Sequence, residues 1–232
     1  MIPWLTPESP FPSLNGALVQ PNGLLAVGGD LSPQRLIEAY RCGIFPWFNE
    51  DEPILWWSPD PRMVLFPKEL KISRSLRKAL KKRTYEIRVD SAFSQVMQAC
   101  AQPRRDRVGT WIHEEMISAY ATLHEMGLAH SVETWIGGEL MGGLYGVAQG
   151  KMFFGESMFS HVSDASKIAF VHLVKQLDRW DFQMIDCQMK TAHLASFGGR
   201  EIPRKEFSQK LKELVNYSER VEKWCFDHES IE

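Results

Sequence analysis

The chain has 232 residues, 44% of them hydrophobic, and a formal net charge of −2. That length suffices for a large core without staples, and the four cysteines (Cys42, Cys100, Cys187, Cys225) lie far apart with no CxxC pair, which argues against a disulfide or zinc framework. The overall charge predicts no polyanionic partner, no stretch is apolar enough to span a bilayer, and Met1-Ile2-Pro3-Trp4 has no leader pattern, so a cytosolic chain with no membrane partner is expected.

Residues 1–62 hold most of the thirteen prolines and read as a small, turn-rich N-terminal domain. One segment in it is clearly helical. Ser32 caps it, Pro33 suits its first turn, Leu36, Ile37 and Tyr40 give an apolar face, and Gly43 ends it. An aromatic loop, Ile44-Phe45-Pro46-Trp47-Phe48, follows.

After Pro67 helices and strands alternate. Ser73 is placed to cap a helix running to about Arg83, Tyr85–Val89 reads as a strand, and Asp90 is expected to cap a helix bearing Phe93, Val96, Met97 and Cys100. A polar loop over 102–110 leads to Trp111 and a helix with Met116, Ile117, Tyr120 and Leu123, with Gly127 at its C′ position. Strands are expected at Ala129–Ile136, Leu140–Ala148 and Met152–Phe159, with turns at Gly137-Gly138 and near Gly150. A helix from about Asp164 to Leu177, a short strand at Met184–Gln188 and two helices around Gly198-Gly199 and Pro203 complete the chain. The fold class is therefore α/β (α+β), with residues 63–232 forming a mostly antiparallel central sheet with flanking helices.

Three features could carry chemistry. Between Lys71 and Arg83, seven of thirteen residues are basic and none is acidic. Arg74, Lys78, Lys81 and Lys82 fall on one side of a helix while Leu76 and Leu80 turn inward. This fits either a solvated surface helix or a phosphate-binding face. Trp47 and Trp111, at a stiffened loop and a loop–helix junction, could stack on nucleobases or anchor the core. Glu156 lies within an apolar strand, where an unpaired carboxylate is costly, so it is either salt-bridged or aimed at a cationic ligand. Asp186 and Gln188 alternate along one strand and would share a face.

Other chemistries lack their residues. Gly146–Lys151 has the wrong glycine spacing for a P-loop, with Met152 where Ser or Thr is required. No GxGxxG opens a helix, no HExxH occurs, and His124 and His130 are not spaced as ligands on one helix face. Neither a metal nor a cofactor is expected.

Several blocks resemble the leucyl/phenylalanyl-tRNA–protein transferase family. They are Pro21–Leu31, Gly43–Phe48, Pro53–Arg62, Gly109–Ile112, Gly142–Gly150, Phe154–Ser160 and Ile185–Gln188, in order over nearly the whole chain. The resemblance implies a small N-terminal domain joined to a GNAT-type acyltransferase domain. It implies transfer of Leu, Phe or, less readily, Met from aminoacyl-tRNA to proteins beginning with Arg or Lys, marking them for N-degron degradation; a monomer is expected. Trp47 and Trp111 would hold the terminal adenosine, and Arg74, Lys78, Lys81 and Lys82 would meet the tRNA. Glu156, Asp186 and Gln188 would line the reaction site. Leu144, Phe153, Met158, Phe170, Leu173, Leu177 and Ile185 would form the amino-acid pocket. Leu173 and Leu177 stand where the family can carry Phe, and some Lys replace Arg on the basic helix. The competing classes are a small-molecule N-acetyltransferase, for which no Q/R-x-x-G-x-G/A loop is present, and a non-enzymatic RNA-binding module.

Overall fold

A computed structural model describes residues 1–82, 84–102, 110–218 and 220–226. Arg83 and the 103–109 part of the expected polar loop lie outside the described residues.

The proline-rich N-terminal region forms a small sheet, which the sequence reading missed. It holds β1 (Trp4–Leu5), β2 (Leu24–Gly28), β3 (Phe45–Pro46) and β4 (Leu55–Trp57), in the order β1-β2-β4-β3. Strands this short carry no readable period-2 pattern, so only their pairing reveals them. Helix α1 (Pro33–Arg41) runs as expected, with the Ser32 hydroxyl accepting from the Arg35 N–H and Gly43 left-handed just beyond its end.

The second sheet contains β5 (Arg62–Leu65), β6 (Glu86–Val89), β7 (Ala129–Ile136), β8 (Glu139–Gln149), β9 (Met152–Ser160), β10 (Met184–Gln188) and β11 (Arg200–Ile202). Its order is β11-β5-β10-β9-β8-β7-β6, and every neighbouring pair is antiparallel except β9 and β10. The helices are α2 (Arg74–Lys82), α3 (Phe93–Ala101), α4 (Glu114–Glu125), α5 (Ala165–Arg179), α6 (Ala192–Ser196) and α7 (Arg204–Leu214). The α+β class expected from sequence is the one observed. The meander β7–β8–β9 matches its expected bounds within a residue or two, whereas β5 and β11 were not anticipated.

Side chains alternate across this sheet. Val64, Tyr145, Val147, Phe154 and Met184 join a core with α3, α4 and the small N-terminal sheet. Leu65, Leu144, Phe153 and Ile185 join a second core with α2 and α5. Gly146 is the tight point. A Cβ there would sit 2.2 Å from the Phe154 carbonyl oxygen and 2.6 Å from the Phe153 ring. Gly146→Ala is expected to lower stability by roughly 2–3 kcal/mol in urea melts, because a main-chain oxygen cannot step aside.

Asp90 does not cap α3. Its backbone is left-handed, with φ 51°, and its carboxylate accepts from the Ser131 N–H at 2.9 Å, His130 Nδ1 at 2.9 Å and the Trp224 N–H at 2.8 Å. The α3 end is served instead by Glu133, which accepts from Ser91 Oγ and, at 3.4 Å, from the Ala92 N–H. A carboxylate from β7, distant in sequence, won over the local cap.

Candidate active site

The cleft arises where the parallel pair of the seven-stranded sheet, β9 and β10, splays. β9 and β10 stay in register through Phe154 and Asp186, and beyond that point they separate. Gln188 takes a left-handed φ of 60° at a bulge against β5, which bends β10 away from β9. Parting strands open a wedge in the sheet, and a cavity of about 420 Å³ occupies it.

Trp47 and Trp111 both line this cavity, so the two indoles face one cleft. The Trp47 N–H donates to the Leu55 carbonyl, and its own carbonyl accepts from Trp57 Nε1 at 2.7 Å. Those bonds pin the loop while the ring stays half-buried. Trp56, by contrast, is fully buried, its Nε1 donating to the Gly28 carbonyl. Trp111 is half-buried beside Ile112, whose N–H donates to Thr110 Oγ1.

Leu144, Phe153, Met158, Phe170, Leu173 and Ile185 all line the same cleft and give it an apolar wall. Leu177 does not reach it. One turn farther along α5, it is fully buried in the second core.

Glu156 and Gln188 meet across the splay, with Gln188 Nε2 donating to Glu156 Oε1 at 2.8 Å. The salt-bridged reading of Glu156 does not hold among the described residues, because its other partners are two tyrosines. The Tyr40 hydroxyl donates to Oε1 at 2.8 Å and the Tyr120 hydroxyl to Oε2 at 3.2 Å, and the two hydroxyls contact each other. Burial pushes the Glu156 carboxyl up to about 7, against the pull of the two tyrosines and Gln188. Nearby Asp186 adds to the rise.

Asp186 sits elsewhere than alternation suggested. It is fully buried and does not line the cleft. Its two oxygens take a bidentate pair from Arg62, Nε at 2.8 Å and Nη2 at 2.7 Å. Oδ1 also accepts the backbone N–H of Gln188 at 2.9 Å. The bulge at Gln188 breaks the period-2 pattern and turns the two side chains to different tasks. Arg62 is itself sandwiched near Phe45 and Phe207, with its guanidinium carbon 4.9 and 4.6 Å from their ring centres.

Sequence reasoning assigned Tyr40 and Tyr120 to apolar helix faces and gave Arg62 no role. A signal was available for each. A buried tyrosine needs a partner for its hydroxyl, and a buried Asp needs a cation.

On α2, Arg74, Lys78, Lys81 and Lys82 are exposed and make no ion pair among the described residues, while Leu76 and Leu80 pack on the α5 side. Among the described residues no group of His, Cys, Asp and Glu is arranged to hold a metal, and no helix is long and apolar enough to cross a membrane.

The family model described as "Leucyl/phenylalanyl-tRNA protein transferase" matches residues 64–212, and the one for its N-terminal domain matches residues 29–60. A protein of Nitrosospira multiformis named Leucyl/phenylalanyl-tRNA--protein transferase is 75% identical over 232 residues, covering 100% of both chains. One of the same name from Nitrosomonas europaea is 69% identical, covering 98% of this chain and 96% of its own. Another, from Chromobacterium violaceum, is 60% identical, covering 99% of this chain and 100% of its own. The chain belongs to the leucyl/phenylalanyl-tRNA–protein transferase family and is an aminoacyltransferase.

Proposed function

We propose that the protein transfers Leu or Phe, and less readily Met, from aminoacyl-tRNA to the N-terminal α-amine of proteins beginning with Arg or Lys, so marking them for N-degron degradation. It does so as a cytoplasmic monomer, with residues 1–62 as a small N-terminal domain and 63–232 as a GNAT-like catalytic domain. The observation that carries this reading is the convergence of two indoles, an apolar wall and the Glu156–Gln188 pair on one cleft.

Each part has a matching substrate group. The terminal adenosine stacks on Trp47 and Trp111, the transferred side chain enters the apolar wall, and the acceptor's cationic terminus meets Glu156. The exposed face of α2 takes phosphates, where neutralisation relieves its like-charge repulsion. Asp186 acts at one remove, fixing Gln188 through its backbone N–H.

The donor is an activated ester, and the acceptor amine has an ordinary pKa of about 7.7–8.0. A strong base is therefore unnecessary, and a group titrating near neutrality suffices. Aligning the two substrates can supply up to about 7–11 kcal/mol of the acceleration.

The reading is tested by offering radiolabelled Leu-tRNA or labelled acetyl-CoA with an Arg-initiated peptide. Labelled peptide from the tRNA alone is expected. Label from acetyl-CoA, or tight tRNA binding with no labelled peptide, refutes it. Within that assay, Trp47→Ala and Trp111→Ala should each lower kcat/KM for Leu-tRNA by about 5- to 150-fold, the equivalent of losing one base–indole stack. The wild-type dependence on acceptor peptide should be retained, since neither indole meets it.

A further inference from the structure

Resting on that reading, the geometry points to Glu156 as the group that takes the proton from the acceptor's α-ammonium, with Tyr40 and Tyr120 as the positioning residues that hold its carboxylate in the cleft.

The choice follows from what each cleft group is already doing. Both Asp186 oxygens are committed to Arg62, and its side chain is out of the cleft. Gln188 is an amide, a poor base, and its Nε2 is spent on Glu156. His193 reaches the cleft from α6, but its ring lies edge-on against Phe197, which in turn packs on Phe170 at the apolar wall. Among the described residues, Glu156 is the carboxylate that lines the cleft.

The two tyrosines suit a carboxylate that must change charge. A lysine or arginine in their place would lock Glu156 in its ionised form. A phenol hydroxyl donates to the carboxylate and accepts from the carboxylic acid, so both states keep their hydrogen bonds. Burial and the nearby Glu156 charge raise the Tyr40 and Tyr120 pKa values well above the ordinary value, so both keep their protons. The other groups bearing on Glu156 are Tyr145 from β8, Gln188 and the Arg62-neutralised Asp186.

The step balances. Glu156 removes one ammonium proton, and the freed amine attacks the ester carbonyl, forming the C–N bond. As the C–O bond to the ribose breaks, the Glu156 proton passes to the ribose oxygen. That second transfer restores the carboxylate, and the nitrogen's remaining extra proton leaves to water.

The test is single-turnover transfer from Leu-tRNA to one Arg-initiated peptide across the neutral pH range, for wild type, Tyr40→Phe, Tyr120→Phe, His193→Gln and Glu156→Gln. The acceptor amine contributes identically to every profile, so differences between variants report the enzyme group. The wild-type rate should bend near the Glu156 value of about 7. Losing one phenol donor to the charged form should move that bend up by about one pH unit in each Tyr→Phe variant. His193→Gln should keep the bend and Glu156→Gln should lack it. An infrared carboxylic-acid band that fades through the same pH in wild type, and is absent from Glu156→Gln, checks the assignment without turnover. A bend unmoved by both Tyr→Phe changes, kept in Glu156→Gln or lost in His193→Gln overturns the inference while leaving the transferase reading intact. Failure of wild type to transfer at any pH would overturn both.

Discussion

Glu156→Gln is expected to slow transfer by roughly 10²–10⁴-fold, the range for loss of a positioned acid–base group, while making the protein harder to unfold above neutral pH. The two effects share one cause. Burial holds the carboxyl at about 7 instead of 4.5, a difference worth about 3 kcal/mol. Between those two values the folded protein keeps a proton that the unfolded chain has released, so stability falls as pH rises through the window. Above about 7 the contribution is fully lost. Gln does not titrate, so its advantage grows across the same window and disappears below 4.5.

Gln offers one acceptor oxygen where the carboxylate offers two, so one of the donors Tyr40, Tyr120 and Gln188 loses its partner. That loss costs about 1 kcal/mol, and the net gain at alkaline pH should be about 2 kcal/mol. Urea melts of the two proteins at several pH values measure it directly. A variant equally stable at every pH would mean that Glu156 carries no buried charge.

Arg62→Met is expected to be among the most damaging single changes in the protein. It strips the only cation bonded to Asp186 among the described residues, and both side chains are essentially inaccessible, 1% exposed in each case. Leaving such a carboxylate uncompensated costs about 3–5 kcal/mol. Transfer should fall as well, because Asp186 holds the Gln188 N–H at the bulge. Adding Asp186→Asn to Arg62→Met should restore most of the stability, since no buried charge then remains. A double variant as unstable as the sum of the single changes would mean that the pair acts through packing against Phe45 and Phe207, with little electrostatic coupling.

The long elements were legible because their patterns are local. The meander over residues 129–160 reads as long, largely buried runs broken at Gly137-Gly138, where φ is 61° and 84°. The basic helix was legible for the same reason, with Leu76 and Leu80 inward and cations outward. Illegible were features made by residues far apart in sequence. Two- and three-residue strands such as β1, β3 and β4 have no period of their own. The Asp186–Arg62 pair spans 124 positions and the Tyr40–Glu156 bond spans 116. Asp90 looked like a cap because capping is a local rule, and β7 and Trp224 supplied partners that no local rule includes.

For the candidate site, sequence pattern identified unusual residues, and the family resemblance suggested their tasks. Six of the seven expected pocket residues line the cleft with Trp47, Trp111, Glu156 and Gln188. The exceptions have physical reasons. Leu177 lies a turn too far along α5, and Asp186 is turned away because Gln188 bulges.

The proposed transfer depends most directly on one cleft holding adenosine and amino acid together. A stable amide analogue of 3′-leucyl-adenosine, titrated into the Leu-tRNA transfer assay, tests that claim. Inhibition competitive with Leu-tRNA, and weakened by Trp111→Ala, is the predicted result. Transfer that proceeds unaffected by the analogue, or inhibition untouched by Trp111→Ala, would contradict it.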